Sequence, residues 1–223
     1  MRKGLNTETL KRIYARVARR YDREHAFITA GSDNRGRAML VKNAVQAGDI
    51  VLDCGAGTGS TAIMAAKKVG SKGKVTLFDL SDDMLDVARE KVARSKLDCG
   101  IEFRTGNVID LPFDDGAFDV VLSTYSLCPL YDPVKGALEM YRVTRRGGRF
   151  GAAHSTEPQN RIAKTLARGV EKIARRFPGI SMGCRAVDVL PTIERAGGRV
   201  LFHRQIGVPL WPFLVFIVQK PGV

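Results

Sequence analysis

The chain alternates between short apolar runs and longer segments whose apolar residues recur every three or four positions. Bounded apolar runs read as strands and the 3.6-residue recurrence as amphipathic helices. Residues 7 to 21 place Leu10, Ile13, Tyr14, Val17 and Tyr21 on one helical stripe, while Lys11, Arg12, Arg16, Arg19 and Arg20 fill much of the rest. A second helix is predicted over about Arg37–Gln46. From there strands and helices alternate. Strand Ile50–Asp53 precedes helix Ser60–Val69, and strand Lys74–Asp79 precedes helix Asp82–Ser95. Strands Ile101–Thr105 and Phe118–Ser123 follow, then helix Pro133–Thr144 and strand Arg149–His154. Such alternation predicts a parallel sheet with helices on both faces. Residues 158 to 177 break the rhythm with a helix whose one face carries Ile162, Leu166, Val170, Ile173 and Phe177. Lys164, Arg168, Lys172, Arg175 and Arg176 sit largely off that face. Another helix, about Ala186–Ala196, stops at Gly197-Gly198. Strands Arg199–Ile206 and Phe213–Gln219 close the chain as an antiparallel pair, joined through Pro209-Leu210-Trp211-Pro212.

The junction after the first strand carries the chemistry. The string Asp53-Cys54-Gly55-Ala56-Gly57-Thr58-Gly59 sets three glycines two apart between a buried strand and a helix. Glycines at such a turn let the backbone pass close to a bound nucleotide-like ligand. The dinucleotide pattern G-x-G-x-x-G needs its third glycine at position 60, which is Ser60. Asp79, about 20 residues past the loop at the end of the second strand, can take both hydroxyls of a ribose. Asn107 follows the third strand, where it and the Val108 backbone can read an adenine edge. The fourth strand runs into a polar loop at Thr124-Tyr125, and loops at the carboxyl ends of parallel strands form the ligand crevice.

The 223 residues are enough for one full core. Cys54, Cys99, Cys128 and Cys184 show no metal-ligating spacing, so no resident metal is expected, and they fit a reducing compartment. The N-terminus lacks the apolar core of a signal peptide. The longest apolar stretch, 206 to 218, is short of the ~20 residues of a membrane span and contains prolines. A cytoplasmic protein is expected. The net charge of +13 favours an anionic partner. No basic, aromatic-rich cluster of the RNA-recognition kind is present, which places nucleic acid low. The two basic amphipathic helices make peripheral membrane contact a second expectation.

D-x-G-x-G-x-G after a hydrophobic strand resembles motif I of the class I S-adenosylmethionine methyltransferases. The resemblance widens with Tyr21-Asp22, Asp79, the Leu111-Pro112-Phe113 stretch with Phe118-Asp119, and the string Met140-Tyr141-Arg142-Val143-Thr144-Arg145-Arg146-Gly147-Gly148-Arg149. Over about residues 10 to 156 the chain is similar to the ubiquinone/menaquinone-biosynthesis C-methyltransferase branch. That resemblance implies a doubly wound, Rossmann-like α/β fold with a seven-stranded, mostly parallel sheet and an antiparallel C-terminal strand. It implies S-adenosylmethionine as cofactor and one domain over 1–223. Residues 1–47 would be a helical lid, 48–157 the cofactor-binding core, 158–197 a helical insertion and 198–223 a closing hairpin. The expected cofactor contacts are Tyr21, Asp53 and the loop Gly55, Ala56, Gly57, Thr58 and Gly59. Asp79, Leu80, Met84, Asn107, Val108, Thr124 and Tyr125 complete the set.

The implied acceptor is a small or lipid-like molecule of the quinone-precursor type. Phospholipid or other N-methylation on the same fold is the alternative, and a non-catalytic S-adenosylmethionine-binding or nucleic-acid-associated protein is the reading from another class. The chain departs from the family at Cys128-Pro129, where an Arg-Asn pair is usual, and at His154, where an acid is usual. Arsenite methyltransferases also resemble this scaffold and use cysteine ligands. Where they place one the chain has Tyr125, with Cys128 and Cys184 as rivals for that role. For a general base, His154 at a strand end is the first candidate, since an unperturbed histidine titrates near neutrality. His25 in the lid is the second, with Tyr21 beside it, and His203 reads as structural.

Overall fold

A computed structural model describes residues 5–29, 31–174 and 184–222. The helix read over residues 7 to 21 is two helices. Helix α1 (Thr7–Val17) is capped by Asn6, whose side chain accepts from Thr9 N at 2.8 Å. The chain turns at Ala18–Arg20 and restarts as α2 (Tyr21–Ile28). The turn lets Tyr21 join Val17 and Ala18 in an apolar cluster around Met84 while Asp22 reaches the glycine loop. Those tertiary contacts outweigh a continuous helical pattern. Helix α3 (Ser32–Ala44) starts five residues before the predicted Arg37, behind Gly31 at φ 71°.

The alternating region is close to expectation. It consists of β1 (Ile50–Cys54), α4 (Ser60–Val69), β2 (Lys74–Asp79), α5 (Asp82–Ala93), β3 (Gly100–Thr105), β4 (Phe118–Thr124), α6 (Pro133–Val143) and β5 (Thr144–Ser155). β5 begins earlier than predicted because Thr144 already pairs with Phe118. The register then jumps to Arg149 opposite Val120. Helix α7 (Arg161–Ala174) follows, with Ile162 and Leu166 exposed. Arg175, Arg176 and Phe177 lie outside the described residues, as do the side chains from Val170 to Ala174. The helix expected from Ala186 is only α8 (Leu190–Arg195). Residues 184–189 stay non-helical beside the sheet, where Val187 N donates to Ser155 O at 2.9 Å. Strands β6 (Arg199–Val208) and β7 (Trp211–Gln219) are both longer than predicted, leaving Pro209-Leu210 as the turn.

The seven strands lie in the order β3-β2-β1-β4-β5-β7-β6. β1 to β5 pair in parallel, and β7 runs antiparallel to both its neighbours. One face packs Val51, Leu77, Val120 and Leu122 against α3 and α4. The other packs Leu52, Phe78, Phe150 and Phe216 against α6 and α8. Strands covered on both faces explain the nearly unbroken apolar runs in the sequence. The order reverses between β1 and β4, so the crevice opens at their carboxyl ends. Among the described residues no helix is long and apolar enough to cross a membrane.

A buried ion pair ties the far end of the sheet. Arg149 Nη2 reaches both carboxylate oxygens of Asp49 at 3.1 and 3.0 Å, with both side chains about nine-tenths buried. Arg149→Ala leaves Asp49 charged and unpaired, and is expected to cost about 3–5 kcal/mol in urea unfolding. A loss below about 1 kcal/mol would place the pair among weak surface bridges.

Candidate active site

The loop between β1 and α4 is shaped by its backbone. Gly55 N and Ala56 N both donate to Phe78 O, at 2.7 and 3.1 Å, which ties the loop to β2. Gly55 has φ 69°, and a Cβ there would lie 2.2 Å from Ser126 Cβ. Gly57 has φ 53°, a conformation that side chains rarely adopt, and nothing lies within 4 Å of its would-be Cβ, which would project into open space. That space is a cleft of about 600 Å³. Gly57 N donates to Asp79 Oδ2 at 2.7 Å, and Ser81 N donates to Asp79 Oδ1 at 2.9 Å. Burial raises the Asp79 pKa against these N–H donors. Each carboxylate oxygen keeps acceptor capacity for a ligand hydroxyl.

Ten of the expected contacts line this one cleft. Tyr21 comes from the N-terminal helices, Gly55 and Gly57 from the loop, and Asp79, Leu80 and Met84 from the β2–α5 junction. Asn107 and Val108 follow β3, and Thr124 and Tyr125 end β4. Ala56 and Gly59 shape the turn without lining the cleft. Thr58 has another use: its hydroxyl donates to Asp22 Oδ1 at 2.6 Å, and Lys91 Nζ holds the other oxygen of Asp22 at 2.8 Å. Helix α2 is thereby latched across the glycine loop onto α5. The sequence reading missed Leu10, Tyr14, Ser126, Pro129 and Leu130, which also line the cleft. The stripe shared by Leu10, Tyr14 and Tyr21 was the available signal for the first two.

Asp53 lies beneath the loop rather than in the cleft. It is fully buried, and neither oxygen has a hydrogen-bond partner. Burial pushes its pKa up to about 7, with Arg37 pulling it down and Asp79 adding to the rise. Arg37, which no sequence signal marked, is also buried. Its Nη1 donates to Thr61 Oγ1 at 3.1 Å and Thr124 Oγ1 at 3.0 Å, and its Nε lacks a partner. The Thr61 and Thr124 hydroxyls lie 2.8 Å apart. The expected Thr124 contact therefore lines the cleft with its hydroxyl already engaged.

Neither histidine candidate is among the residues that line the cleft, but His25 packs directly behind two that do, Tyr21 and Tyr125. His25 Nδ1 lies 3.1 Å from Asp33 Oδ2, and Thr29 Oγ1 donates to Asp33 Oδ1 at 3.1 Å. Burial works against the Asp33 carboxylate, yet the His25 hydrogen bond and charge, the Asn34 N–H and Arg37 bring its pKa down to about 2. The His25 ring stacks on Tyr21 with centroids 5.2 Å apart and packs on Tyr125 at 5.1 Å. Tyr125 holds an uncommon positive φ of 61°, and its hydroxyl donates to Asp33 O at 3.2 Å. The structure does not bring His154 to the cleft. It is fully buried, its Nδ1 faces the Ser155 carbonyl oxygen at 3.1 Å, its Nε2 has no partner, and burial lowers its pKa.

The profile of the ubiE/COQ5 methyltransferase family matches residues 2–167. The chain belongs to that family. The demethylmenaquinone methyltransferase of Lactobacillus johnsonii is 34% identical over 170 residues, 76% of this chain and 68% of that protein. The ubiquinone/menaquinone biosynthesis C-methyltransferase UbiE of Bdellovibrio bacteriovorus is 36% identical over 173 residues, 71% of this chain and 72% of that one. Among solved structures, the geranyl diphosphate C-methyltransferase of Streptomyces coelicolor, in complex with S-adenosyl-L-homocysteine, superposes with a TM-score of 0.67. It is 16% identical, with 84% of this chain and 77% of that one covered, a likeness of fold alone. As a ubiE/COQ5 family member the protein is a methyltransferase that uses S-adenosylmethionine. The residues present fit that cofactor. A buried carboxylate without a partner suits a nearby cationic group, Gly57 leaves room for close approach, and Asp79 can accept from a ribose diol.

Two outcomes are expected. Gly57→Val fills the cleft and abolishes S-adenosylhomocysteine binding in calorimetry, with circular dichroism unchanged; retained binding would remove the loop from the site. Asp53→Asn stabilises the cofactor-free protein. A carboxyl with pKa raised to about 7 is indifferent to pH below its unfolded value of about 4. Its cost grows as pH rises from there to about 7. The gain in melting temperature should thus be largest at pH 8 and vanish near pH 3.

Proposed function

We propose that the protein transfers a methyl group to a ring carbon of a demethylated quinone precursor bearing a lipid tail. The observation that carries this reading is the match to family members whose names specify quinone-precursor methylation, spanning the residues that build the cleft. Bound S-adenosylmethionine supplies a methyl group on a sulfonium, open to in-line displacement. The chain supplies orientation and exclusion of water. The loop residues Gly55 and Gly57 with Asp79 and Asn107 hold the cofactor, and Tyr14, Tyr21 and the α2 latch cover it. Residues 1–47 act as the lid over the cofactor-binding core of 48–157.

A ring carbon that gains a methyl group must lose a proton, and His25 is the residue assigned to take it. Asp33 orients its Nδ1, leaving Nε2 as the acceptor. Tyr21, stacked on it, lines the cleft. A lipid-tailed acceptor calls for an enzyme that meets a bilayer. The inner stripe of α1 is buried, with Leu10 and Val17 almost fully covered, so that helix packs on its own domain. Helix α7 instead exposes Ile162 (74%) and Leu166, beside Arg161 and Lys164, and Phe27 of α2 is 88% exposed. With a net charge of +13, these residues favour peripheral contact with an anionic membrane from the cytoplasmic side.

Incubation with methyl-labelled S-adenosylmethionine and either a demethylmenaquinone or phosphatidylethanolamine tests the acceptor. Label is expected in the quinone ring; label confined to the phospholipid nitrogen would overturn the quinone reading. His25→Ala should lower kcat about 10²–10⁴-fold without changing cofactor affinity, whereas His154→Gln should leave kcat within a few-fold. Co-sedimentation with anionic vesicles should weaken in Phe27→Ser and at high salt, and unchanged binding by both measures would remove the membrane contact.

A further inference from the structure

The structure assigns Lys91 as the positioning residue that gates cofactor exchange: its ammonium clamps helix α2 across the glycine loop. An ammonium has N–H donors and no acceptor. Lys91 Nζ projects from α5 and places its donors on partners outside its own helix. It donates to Asp22 Oδ2 of α2 at 2.8 Å, to Ser60 Oγ at the start of α4 at 2.8 Å, and to Thr58 Oγ1 of the loop at 3.3 Å. Thr58 Oγ1 donates in turn to Asp22 Oδ1 at 2.6 Å, so both oxygens of that carboxylate are held. Hydrogen bonds between charged groups are the strong ones, and the Lys91–Asp22 contact is of that kind. A second ion pair joins the same elements, Arg19 with Glu90 at 3.3 Å, but it leaves Arg19 81% exposed against 29% for Lys91. So exposed a bridge contributes little.

Asp22, Thr58, Ser60 and Lys91 are not among the residues that line the cleft. What they hold is the lid. Tyr21, the neighbour of Asp22, lines the cleft and packs with Val17, Ala18 and Met84, while Leu10 and Tyr14 of α1 also line it. Separating α2 from the loop breaks the contacts of Lys91 and Thr58 with Asp22. Lys91 thus acts through Asp22 and Thr58 rather than on the ligand itself. Weakening the clamp lowers the barrier for entry and exit alike and leaves the contacts of the closed site as they are. Every turnover ends with a demethylated cofactor that must leave before the next one binds, so the clamp acts on a step of each catalytic cycle. The inference rests on the reading of the cleft as the cofactor site.

The test measures association and dissociation rates of S-adenosylhomocysteine on the whole protein by surface plasmon resonance. Lys91→Met keeps the side-chain stem and removes the donors. Both rates should rise together, about 5- to 20-fold, with Kd moving less than about three-fold. Lys91→Arg, which keeps a cation opposite Asp22, should restore most of the slow exchange. Asp22→Asn should accelerate exchange as Lys91→Met does, and the double variant should go no further, because both changes remove one shared contact. High salt should speed exchange in the unaltered protein, a readout that needs no variant, and should not do so in Lys91→Met. Glu90→Gln, which removes the exposed bridge to Arg19, should leave both rates within about two-fold. Faster release with unchanged association would make Lys91 a support of the site's shape and overturn the gate. Unchanged rates in Lys91→Met, or equal acceleration by Glu90→Gln, would also overturn it. Failure of the cleft reading is a separate result: S-adenosylhomocysteine binding retained by Gly57→Val.

Discussion

The guanidinium of Arg37 is the interaction on which the site depends. It comes from α3 in the N-terminal region, yet its Nη1 donates to Thr61 at the start of α4 and Thr124 at the end of β4. Those elements flank the point where the strand order reverses. Its guanidinium also lies 5.2 Å from the centre of the Tyr125 ring and 3.8 Å from the Asp33 carboxylate. A permanently charged group in this position attracts the Asp53 carboxylate, which burial alone would hold more firmly in the neutral form. The N-terminal region and the core therefore share one electrostatic centre.

Sheet and helices were legible in the sequence where local pattern and tertiary demand agree. Lys74–Asp79 and Ser60–Val69 have the predicted bounds because a fully covered parallel strand and a two-layer helix leave little choice of register. Pattern failed where long-range contacts decide. The break at Ala18–Arg20 serves the packing of Tyr21 and the reach of Asp22, neither of which leaves a mark in local periodicity. The non-helical course of 186–189 is set by its position against Ser155.

The cleft was legible because its spacing is local: glycines, a strand-end acid and the loops after successive strands all occur at characteristic points of an alternating fold. Roles were less so. Thr58 and Thr124 occupy expected places, but their hydroxyls bind Asp22 and Arg37. Arg37 itself is one arginine among many in a basic chain. Only the folded arrangement distinguishes a buried guanidinium from its solvated neighbours. His154 and His25 were both offered by position alone, and it is β5 that puts one against Phe216 and α2 that puts the other between two tyrosines.

Helix α2 has two faces with different company. Tyr21 and His25 face inward, against the cleft and Tyr125, while Phe27 stands almost wholly in solvent on the same eight-residue helix. So short a helix moves as a rigid lever. Any surface that captures Phe27 applies its pull to Tyr21 and strains the Asp22 latch over the glycine loop. The exposed ring and the latch over the glycine loop thus belong to one short element, and a load on either is felt by the other.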